Sequence, residues 1–448
     1  MTSHRLHTKK KYNRKKVPKI KISTLTPSIA SEPRLSANYL FKLYKEKQYD
    51  NWSIVNSIGT PKVKDSFQYL YASIGTQFSW YLPDLTTHKL DFISSKDFDS
   101  NIQYVWAHPK KDIVYLALSD GGPGKKGSYH SILACSIDRN TGEPAILGPK
   151  QRVPYRPIHL STDERGENLF TAYNNPSSLS VHKIEANGNI GDTRIQLSKD
   201  QAGIFGHQVR ITPDEKTAIL VCRGYDATDT TSEQPGCLKI FDLTDGELWA
   251  TKTISPFDGL GFGARHLDFH PSGHCFYLAI ERQSELHTFK IAEEGISDNP
   301  LFTASTLSKP LQSGVRQANS AVHVHPSGKF VYVSNRTYPA APTNGRAIPN
   351  GEDNIAVFKI NEISYEPSLI QSADTLGSLP RTFSIHNSGK MLVAANSEAA
   401  RKINFNGKVT SLPLSLVCYE IGENGKLALK QQINFQEKDQ LLFWAGFL

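Results

Sequence analysis

The segment Phe269-His-Pro-Ser-Gly-His-Cys-Phe-Tyr277 decides the fold, because versions of it recur along the chain. Each version places a polar turn of the His-Pro-Ser-Gly type before an apolar run that is typical of a buried strand. A period of roughly 50 residues with strands in every unit indicates a sheet repeated around an axis. The six versions begin at Trp106, Leu160, Ile211, Phe269, Val324 and Ile385.

The two ends of the repeat region supply one further unit. The last eight residues, Leu441–Leu448, form a predicted strand with no partner after it, and the strands predicted over residues 67–95 lack one before them. Joining the two closes the ring and removes exposed sheet edges. Residues 66–448 are therefore predicted to form an all-β, seven-bladed β-propeller that is closed by pairing of its N- and C-terminal strands.

Positive charge is concentrated at the N-terminus. Nine of the 51 Lys and Arg residues, and no acidic residue, lie within residues 1–31, which leaves the rest of the chain close to neutral. Residues 1–50 are predicted to be a basic extension that is disordered or partly helical. Nuclear targeting, or binding of nucleic acid or another anionic surface, is the alternative role for the 1–31 tail.

Composition limits the cellular setting. No apolar run is long enough to span a membrane, and the N-terminus lacks the apolar segment of a secretory signal. The five cysteines are scattered and show no Cys-x-x-Cys spacing, which favours reduced thiols over a disulfide framework or a zinc site. We therefore expect a cytoplasmic protein.

The recurring turn also provides a reference point from which the positions of polar residues can be counted in each unit. The residues two and four before it are apolar in nearly every unit, for example Phe269 and Leu267, so that strand face is buried. The first strand of a propeller blade lines the central channel, so the residues six before the turn should ring its mouth. These residues are Gln103, Arg156, His207, Arg265, Ser320 and Arg381.

The second strand of each hairpin reaches the same rim ten residues after the turn. There it carries Ser119, Arg223, Glu281, Arg336 and Ser397. We expect Arg265 and Glu281 to be direct cross-strand neighbours. One reading of these charges is a set of rim ion pairs with a purely structural role. The other is an anion site, because several arginines converge on one place only where an anion relieves their repulsion.

An acid, a histidine and arginines together suit the attack of water on an ester. Glu281 or His207 would take the proton of the water, and guanidinium groups would stabilise the oxyanion. We expect no cofactor, since no phosphate-binding glycine loop or dinucleotide fingerprint is present. His323 and His325 could bind a metal as a pair, but no third ligand lies at matching spacing.

Two further features concern the loops. The turn histidines, which are His108, His270, His325 and His386, are predicted to cap the turn. Residues Thr337–Asp353 are predicted to be an inserted loop after the second strand of their blade, of the kind that shapes a binding mouth.

Three segments carry a resemblance to a known family. Gly263-Ala-Arg-His-Leu-Asp-Phe-His-Pro-Ser-Gly273, Val322–Arg336 and Pro380-Arg-Thr-Phe-Ser-Ile385 resemble the seven-bladed propeller lactonases. That family includes the propeller-type 6-phosphogluconolactonases and the fungal carboxy-cis,cis-muconate cyclases. The resemblance extends over residues 66–448 and implies a site of one histidine, two arginines and one glutamate. The matching residues are His207, Arg265, Glu281 and Arg336.

The resemblance leads us to expect a metal-independent lactonase that acts on a small anionic sugar lactone, with 6-phosphogluconolactone as the first choice. Arg381, His159 and His323 are expected to bind the substrate. Two alternatives stay open. One is a cyclase or isomerase that runs lactone chemistry in reverse on a muconate-type dicarboxylate. The other is a non-catalytic propeller that binds a partner through its rim.

Overall fold

The recurring segment folds as a hairpin of two antiparallel strands. In the computed structural model, which describes residues 68–197, 201–310, 315–339, 348–349, 351–403, 406–436 and 440–448, Ala264–Phe269 pairs with Cys275–Ile280. The amide of Gly273 donates to the carbonyl oxygen of His270 over 2.9 Å. Gly273 has a φ of +74°, a conformation that costs little without a Cβ, which explains the glycine of the motif.

Strands are numbered in chain order, and blades are numbered by the repeat that starts them. The strands before the first repeat are β1 (Leu70–Ile74), β2 (Gln77–Asp84) and β3 (Lys89–Asp97). Blade 1 contains β4 (Asn101–Ala107), β5 (Ile113–Ser119), β6 (His130–Ile137), β7 (Pro144–Ile146) and β8 (Gln151–Arg152). Blade 2 contains β9 (Pro157–Thr162), β10 (Asn168–Asn174), β11 (Ser177–Ile184) and β12 (Ile190–Gln196).

The next two blades continue this pattern, with a single 3-10 turn between them at Pro256–Gly259 among the described residues. Blade 3 contains β13 (Gly206–Ile211), β14 (Thr217–Cys222), β15 (Cys237–Thr244) and β16 (Glu247–Ile254). Blade 4 contains β17 (Ala264–Phe269), β18 (Cys275–Ile280), β19 (Glu285–Ala292), β20 (Gly295–Ile296) and β21 (Phe302–Ser305).

Blades 5 and 6 share a small additional sheet of β24, β29 and β30. The strands of this region are β22 (Val315–Val324), β23 (Phe330–Pro339), β24 (Ile348–Pro349), β25 (Asn354–Ile360), β26 (Pro367–Asp374), β27 (Pro380–Ile385), β28 (Met391–Asn396), β29 (Ala400–Ile403), β30 (Val409–Leu412), β31 (Ser415–Ile421) and β32 (Leu427–Asn434). The chain ends with β33 (Leu442–Phe447). Strand β23 already includes the first residues of the predicted insertion, and residues 340–347 and 350 lie outside the described residues.

Each blade is an antiparallel meander, and the innermost strands of successive blades pack against one another around the axis. Blade 7 combines the two ends of the described chain in the order β33-β1-β2-β3, with Phe447 opposite Leu70. The predicted seven-bladed propeller with terminal-strand closure is therefore confirmed. The predicted extension at residues 1–50 lies outside the described residues.

All innermost strands run from one end of the channel, which we call the mouth, to the end with the recurring turns, which we call the turn end. Their apolar faces are buried between blades, as Leu267 and Val209 illustrate with no exposed surface. Each such side chain contributes roughly 1.5–3 kcal/mol relative to exposure. Among the described residues, no helix is long and apolar enough to cross a membrane.

A β-bulge interrupts the inner hairpin of every blade near the mouth. In blade 4, Ala264 faces Ile280 and His266 faces Ala279, so Arg265 has no partner across the ladder. Glu281 instead donates its amide to the carbonyl oxygen of Gly263 over 2.7 Å. The expected direct pairing of Arg265 with Glu281 is therefore wrong, because a bulge sets two residues against one and alternation does not reveal it.

The same bulge recurs at equivalent positions around the ring. Blade 2 departs from the expected register by two residues, because its turn is Asp163–Gly166, in which Gly166 donates to Asp163 over 3.0 Å. Its bulged residue is Ile158, and the expected equivalence of Arg156 with the other five residues is wrong. The bulges lie at Gln103, Ile158, His207, Arg265, Ser320–Ala321, Arg381 and Phe443.

Two of the four turn histidines, His270 and His325, join neighbouring blades at the turn end. His270 Nδ1 accepts the amide of Ser272 over 3.1 Å, and Nε2 donates to the carbonyl oxygen of Gly328 in blade 5 over 2.9 Å. His325 makes the equivalent bond to Gly389 in blade 6 over 2.8 Å. These histidines therefore stabilise the contact between blades, at the opposite end of the channel from the mouth.

Candidate active site

The mouth of the channel brings His207, Arg265, Glu281 and Arg336 together. Bulges on β13 and β17 carry His207 and Arg265, Glu281 follows β18 directly, and Arg336 lies near the end of β23. All four are buried, and only 2% of the surface of Arg265 and of Arg336 is exposed. Buried charge is costly unless it is paired, so the pairing among these groups decides what they can do.

Glu281 is the acceptor around which the arginines gather. Arg336 Nη2 donates to Oε1 over 2.8 Å, and Arg223 Nε donates to Oε2 over 2.8 Å. Arg265 Nε lies 3.7 Å from Oε2, which is beyond hydrogen-bond distance. One carboxylate therefore faces three guanidinium groups, and the site keeps an excess of positive charge.

These neighbours hold Glu281 in its ionised form. Burial alone would raise the pKa of its carboxyl group, but the charges of Arg223, Arg336 and Arg265 outweigh burial and hold the pKa well below its ordinary value. A carboxylate with so low a pKa is a weak base. Its geometry suits it to positioning the arginines.

Arg223 is a member of this group that the sequence reasoning did not single out. It follows β14 as Glu281 follows β18, and it lies ten residues after its turn, as Glu281 and Arg336 do. Its Nη2 also donates to Asp226 Oδ2 over 3.0 Å, and Asp226 accepts from Arg316 over 3.1 Å. In three consecutive blades, the residue ten positions after the turn thus belongs to one ion-pair network. That repetition was the signal in the sequence from which Arg223 could have been found.

Arg336 and Arg265 differ in how firmly they are held. Arg336 Nη2 also donates to the carbonyl oxygen of Asn319 over 2.8 Å, and Nη1 donates to Tyr338 Oη over 2.7 Å. Arg265 Nη1 is buried and has no hydrogen-bond partner among the described residues. Burial, Arg336 and Arg381 hold the pKa of Arg265 well below its ordinary value. Arg336 Nε also lacks a partner among the described residues. Arg265, which forms no hydrogen bond to Glu281, is therefore the less firmly held of the two and can bind an acceptor from outside.

His207 lies beside this group as a neutral imidazole. Burial first, and then the charge of Arg265, hold its pKa well below 6.5, against the weaker opposing effect of Glu281. Its Nδ1 is buried and has no hydrogen-bond partner among the described residues. The ring lies 6.2 Å from Phe205 and 5.0 Å from His266, between centroids. A neutral, unpaired imidazole can accept a proton.

The sequence of the propeller matches a known family. A family model described as "Lactonase, 7-bladed beta-propeller" matches residues 75–435. The chain belongs to this family. The family description identifies a lactonase, which is a hydrolytic enzyme that opens lactones, and the predicted resemblance is confirmed.

Relatives and solved structures agree with this assignment. A Bacillus subtilis protein named 6-phosphogluconolactonase is 26% identical over 325 residues, which cover 70% of this chain and 83% of that protein. A Formosa agariphila protein of the same name is 25% identical over 350 residues, covering 75% and 90%. The crystal structure of a putative 6-phosphogluconolactonase from Bacteroides uniformis shares the fold, with a TM-score of 0.64 and 20% sequence identity. The match covers 85% of this chain and 100% of that chain.

The other residues predicted to bind substrate occupy different depths of the channel. Arg381 is the bulged residue of β27 at the mouth, half-buried and within electrostatic range of Arg336. His159 is buried deeper, with its ring centroid 4.3 Å from Tyr104 and 5.7 Å from His266. Both ring nitrogens of His159 lack a hydrogen-bond partner among the described residues. His266 therefore connects His207 at the mouth with His159 in the interior.

His323 lies nearer the turn end. It lines a cavity of about 330 Å³ together with Tyr104, Trp106, His266 and Trp444. Its Nδ1 lies 3.8 Å from Asp268 Oδ2, so it faces an acid of the neighbouring blade. The structure thus separates His323 from the group around Glu281, and a role in substrate binding stays a prediction.

The two histidines considered as a metal pair do not act as one unit. His325 belongs to the turn and is hydrogen-bonded to Ser327 and Gly389, whereas His323 faces Asp268. Among the residues that the structure describes, no three His, Cys, Asp or Glu side chains are placed to hold a metal ion.

A second cavity, of about 540 Å³, lies at the periphery between blades 5 and 6. Lys402 is paired with Asp353, and Glu352 accepts the amides of Ser308 and Lys309 over 3.0 and 2.9 Å. The principal charges that line this second cavity are thus already paired within the protein, unlike those of the mouth. We therefore place the candidate active site at the mouth.

Proposed function

We propose that this protein hydrolyses a sugar lactone, with 6-phosphogluconolactone as substrate and 6-phosphogluconate as product. The observation that carries the proposal is the excess of buried arginine around one carboxylate, with a neutral histidine beside it. The names of the relatives from Bacillus subtilis and Formosa agariphila support the same substrate. Both the lactone and its product are anionic, which suits a mouth with surplus positive charge.

In the proposed reaction, His207 takes a proton from water as the water oxygen forms a bond to the lactone carbonyl carbon. Arg265, with its unpaired Nη1, and Arg336 stabilise the oxyanion of the tetrahedral intermediate. When the ring carbon–oxygen bond breaks, the imidazolium of His207 returns the proton to the leaving alkoxide. We assign the base to His207 because three arginines hold the carboxylate of Glu281.

The direct test is an assay of turnover with three substrates: 6-phosphogluconolactone and gluconolactone for lactone opening, and a muconate for lactone formation. Arg265→Ala is expected to lower kcat/KM for the phosphorylated lactone by roughly 100-fold or more, because it removes an oxyanion donor. His207→Ala is expected to lower it by a similar factor through loss of the base. Arg316→Ala is the matched control, since its half-exposed side chain contacts Asp226 and not Glu281.

Wild-type rates in both Arg265→Ala and His207→Ala would remove the proposed site. Turnover of the muconate and of neither lactone would instead favour the cyclase. Binding of 6-phosphogluconate without any turnover would favour the non-catalytic alternative.

The pH dependence of the reaction should report on His207. A base with an ordinary histidine pKa loses activity as pH falls through about 6.5. Since the pKa of His207 is held lower by burial and Arg265, kcat/KM should stay constant to clearly more acidic pH. Steady-state rates from pH 8 to pH 4.5, corrected for spontaneous opening, test this. An acidic limb centred at or above about 6.5 would contradict the assignment of His207 as the base.

A further inference from the structure

Arg156 is a cation at the mouth that has no partner. It directly precedes β9, at the mouth end of blade 2, and is half-buried. Its Nη1 is buried and unpaired, and the described residues offer its guanidinium group neither a hydrogen bond nor an ion pair. Burial and the charge of Arg381 lower the pKa of Arg156 to about 10. An arginine kept in this state lowers stability unless something else uses its charge.

Arg381 is in a similar position on the opposite side of the mouth. Its guanidinium group makes no hydrogen bond or ion pair within the part of the chain that the structure describes. Burial and Arg336 lower its pKa, and Glu398 lies within electrostatic range without forming an ion pair. The pKa of Glu398 is itself raised by burial, so Glu398 compensates the charge of Arg381 poorly.

The two arginines lie on different blades at the same mouth. Arg156 precedes blade 2 and Arg381 belongs to blade 6, so no shared sheet brings them together. Their guanidinium groups are nevertheless within electrostatic range of each other. The opening between them is the place where an anion would relieve two unpaired charges at once.

We propose that Arg156 and Arg381 together bind the phosphate group of the substrate, and that Arg156 determines the preference for a phosphorylated lactone. This inference rests on the proposed function. Two guanidinium groups match the charge and the fork geometry of a phosphate dianion. Arg381 is in electrostatic range of Arg336 and Glu281 as well as of Arg156, so the phosphate would lie on one side of Arg381 and the reacting carbonyl on the other.

The test compares phosphorylated and plain substrates in Arg156→Met, which keeps an unbranched aliphatic stem and removes the charged guanidinium group. For 6-phosphogluconolactone, kcat/KM should fall by roughly 10- to 100-fold, mainly through KM, as expected for loss of charged hydrogen bonds to a ligand. For gluconolactone it should fall by at most about threefold. Arg156→Lys should recover part of the preference, because it restores the charge without the fork. Arg152→Met is the control, since Arg152 is exposed and lies over the ring of Tyr129.

Direct binding separates this proposal from the proposed function. Calorimetry with 6-phosphogluconate and gluconate measures the phosphate contribution whether or not the protein turns over lactones. Loss of 6-phosphogluconate binding in Arg156→Met supports the phosphate site even if no lactone is hydrolysed, in which case only the proposed function fails. Equal losses for both substrates or both acids, or equal affinity of wild type for the two acids, would overturn the phosphate site.

Thermal stability distinguishes a binding role from a structural one. A structural Arg156 would lower Tm when replaced by methionine. An unpaired Arg156 that is kept for a ligand should leave Tm unchanged or raise it, and 6-phosphogluconate should raise the Tm of wild type more than that of Arg156→Met. A Tm several degrees lower in Arg156→Met would contradict the proposal.

Discussion

Replacement of Glu281 by glutamine is expected to lower stability more than any other single substitution at the mouth, and to lower activity as well. Removing one partner of a buried ion pair costs about 3–5 kcal/mol, because the remaining charge stays buried and uncompensated. Glu281 serves Arg223, Arg265 and Arg336 at once, so the free energy of unfolding should fall by about this amount. We expect kcat/KM to fall by roughly 100-fold as the arginines lose their positions.

Glu398→Gln is the matched control for this prediction. It changes the same residue type at the same mouth, also within electrostatic range of Arg381 and Arg336, but Glu398 forms no ion pair within the described residues. Its carboxyl pKa is raised by burial, so loss of its charge should change stability little. Urea unfolding of both variants measures the difference. Equal stability of Glu281→Gln and wild type would show that the arginines are satisfied in another way.

The contribution of Glu281 to stability depends on pH with a definite sign. The pKa of Glu281 is lower in the folded protein than in the unfolded chain, so its stabilising contribution is full above the unfolded value of about 4.3 and declines only as pH falls below it.

The double variant Arg223→Met with Glu281→Gln should recover part of the lost stability, because it removes both members of one buried pair.

Removal of the closing strand should abolish cooperative folding. Deletion of residues 442–448 removes β33, in which Leu442, Phe443, Trp444 and Phe447 are all buried. At roughly 1.5–3 kcal/mol for each large side chain, the loss is comparable to the whole stability of a typical domain, about 5–15 kcal/mol. It also exposes the edge of β1 as a template for aggregation.

Soluble yield and near-ultraviolet circular dichroism measure the effect of this deletion. Deletion of residues 1–50 is the control, and it tests the predicted domain boundary as well. We expect that variant to unfold at the same urea concentration as the full chain. A folded, monomeric protein without residues 442–448 would show that closure contributes little. A large loss of stability without residues 1–50 would contradict the boundary.

The repeat was sufficient to predict the number of blades, the closure and the buried face of the inner strands. Leu267 and Phe269 revealed that face because alternation is a local property of a strand. The bulge at Arg265 could not be predicted in this way. The alternation of apolar side chains between the bulge and the turn is the same with or without the extra residue, which shows only in how the two strands pair. In blade 2, the turn Asp163–Gly166 lacks the proline that four of the other five repeats have, which hid the shift by two residues.

Only those residues of the candidate site that stand at positions counted from the recurring turn could be predicted. His207, Arg265, Glu281 and Arg336 stand at counted positions and do come together in the structure. Arg223 stood at a counted position too, which was the available signal, but its position alone did not indicate the bond that joins it in blade 3 to Glu281 in blade 4. His266 faces the channel because it follows the bulge, so its position depended on the same undetected irregularity.

The bulges have a consequence for how this scaffold can change. Each blade leaves one residue, or two in blade 5, out of the inner ladder near the mouth, and these residues include glutamine, histidine and arginine as well as isoleucine and phenylalanine. Ladder bonds therefore place few demands on these side chains, although Phe443 and Ala321 also pack in the core. The exchangeable positions around the opening are the polar ones, Gln103, His207, Arg265 and Arg381, and a new specificity requires substitutions there and no repacking of a blade.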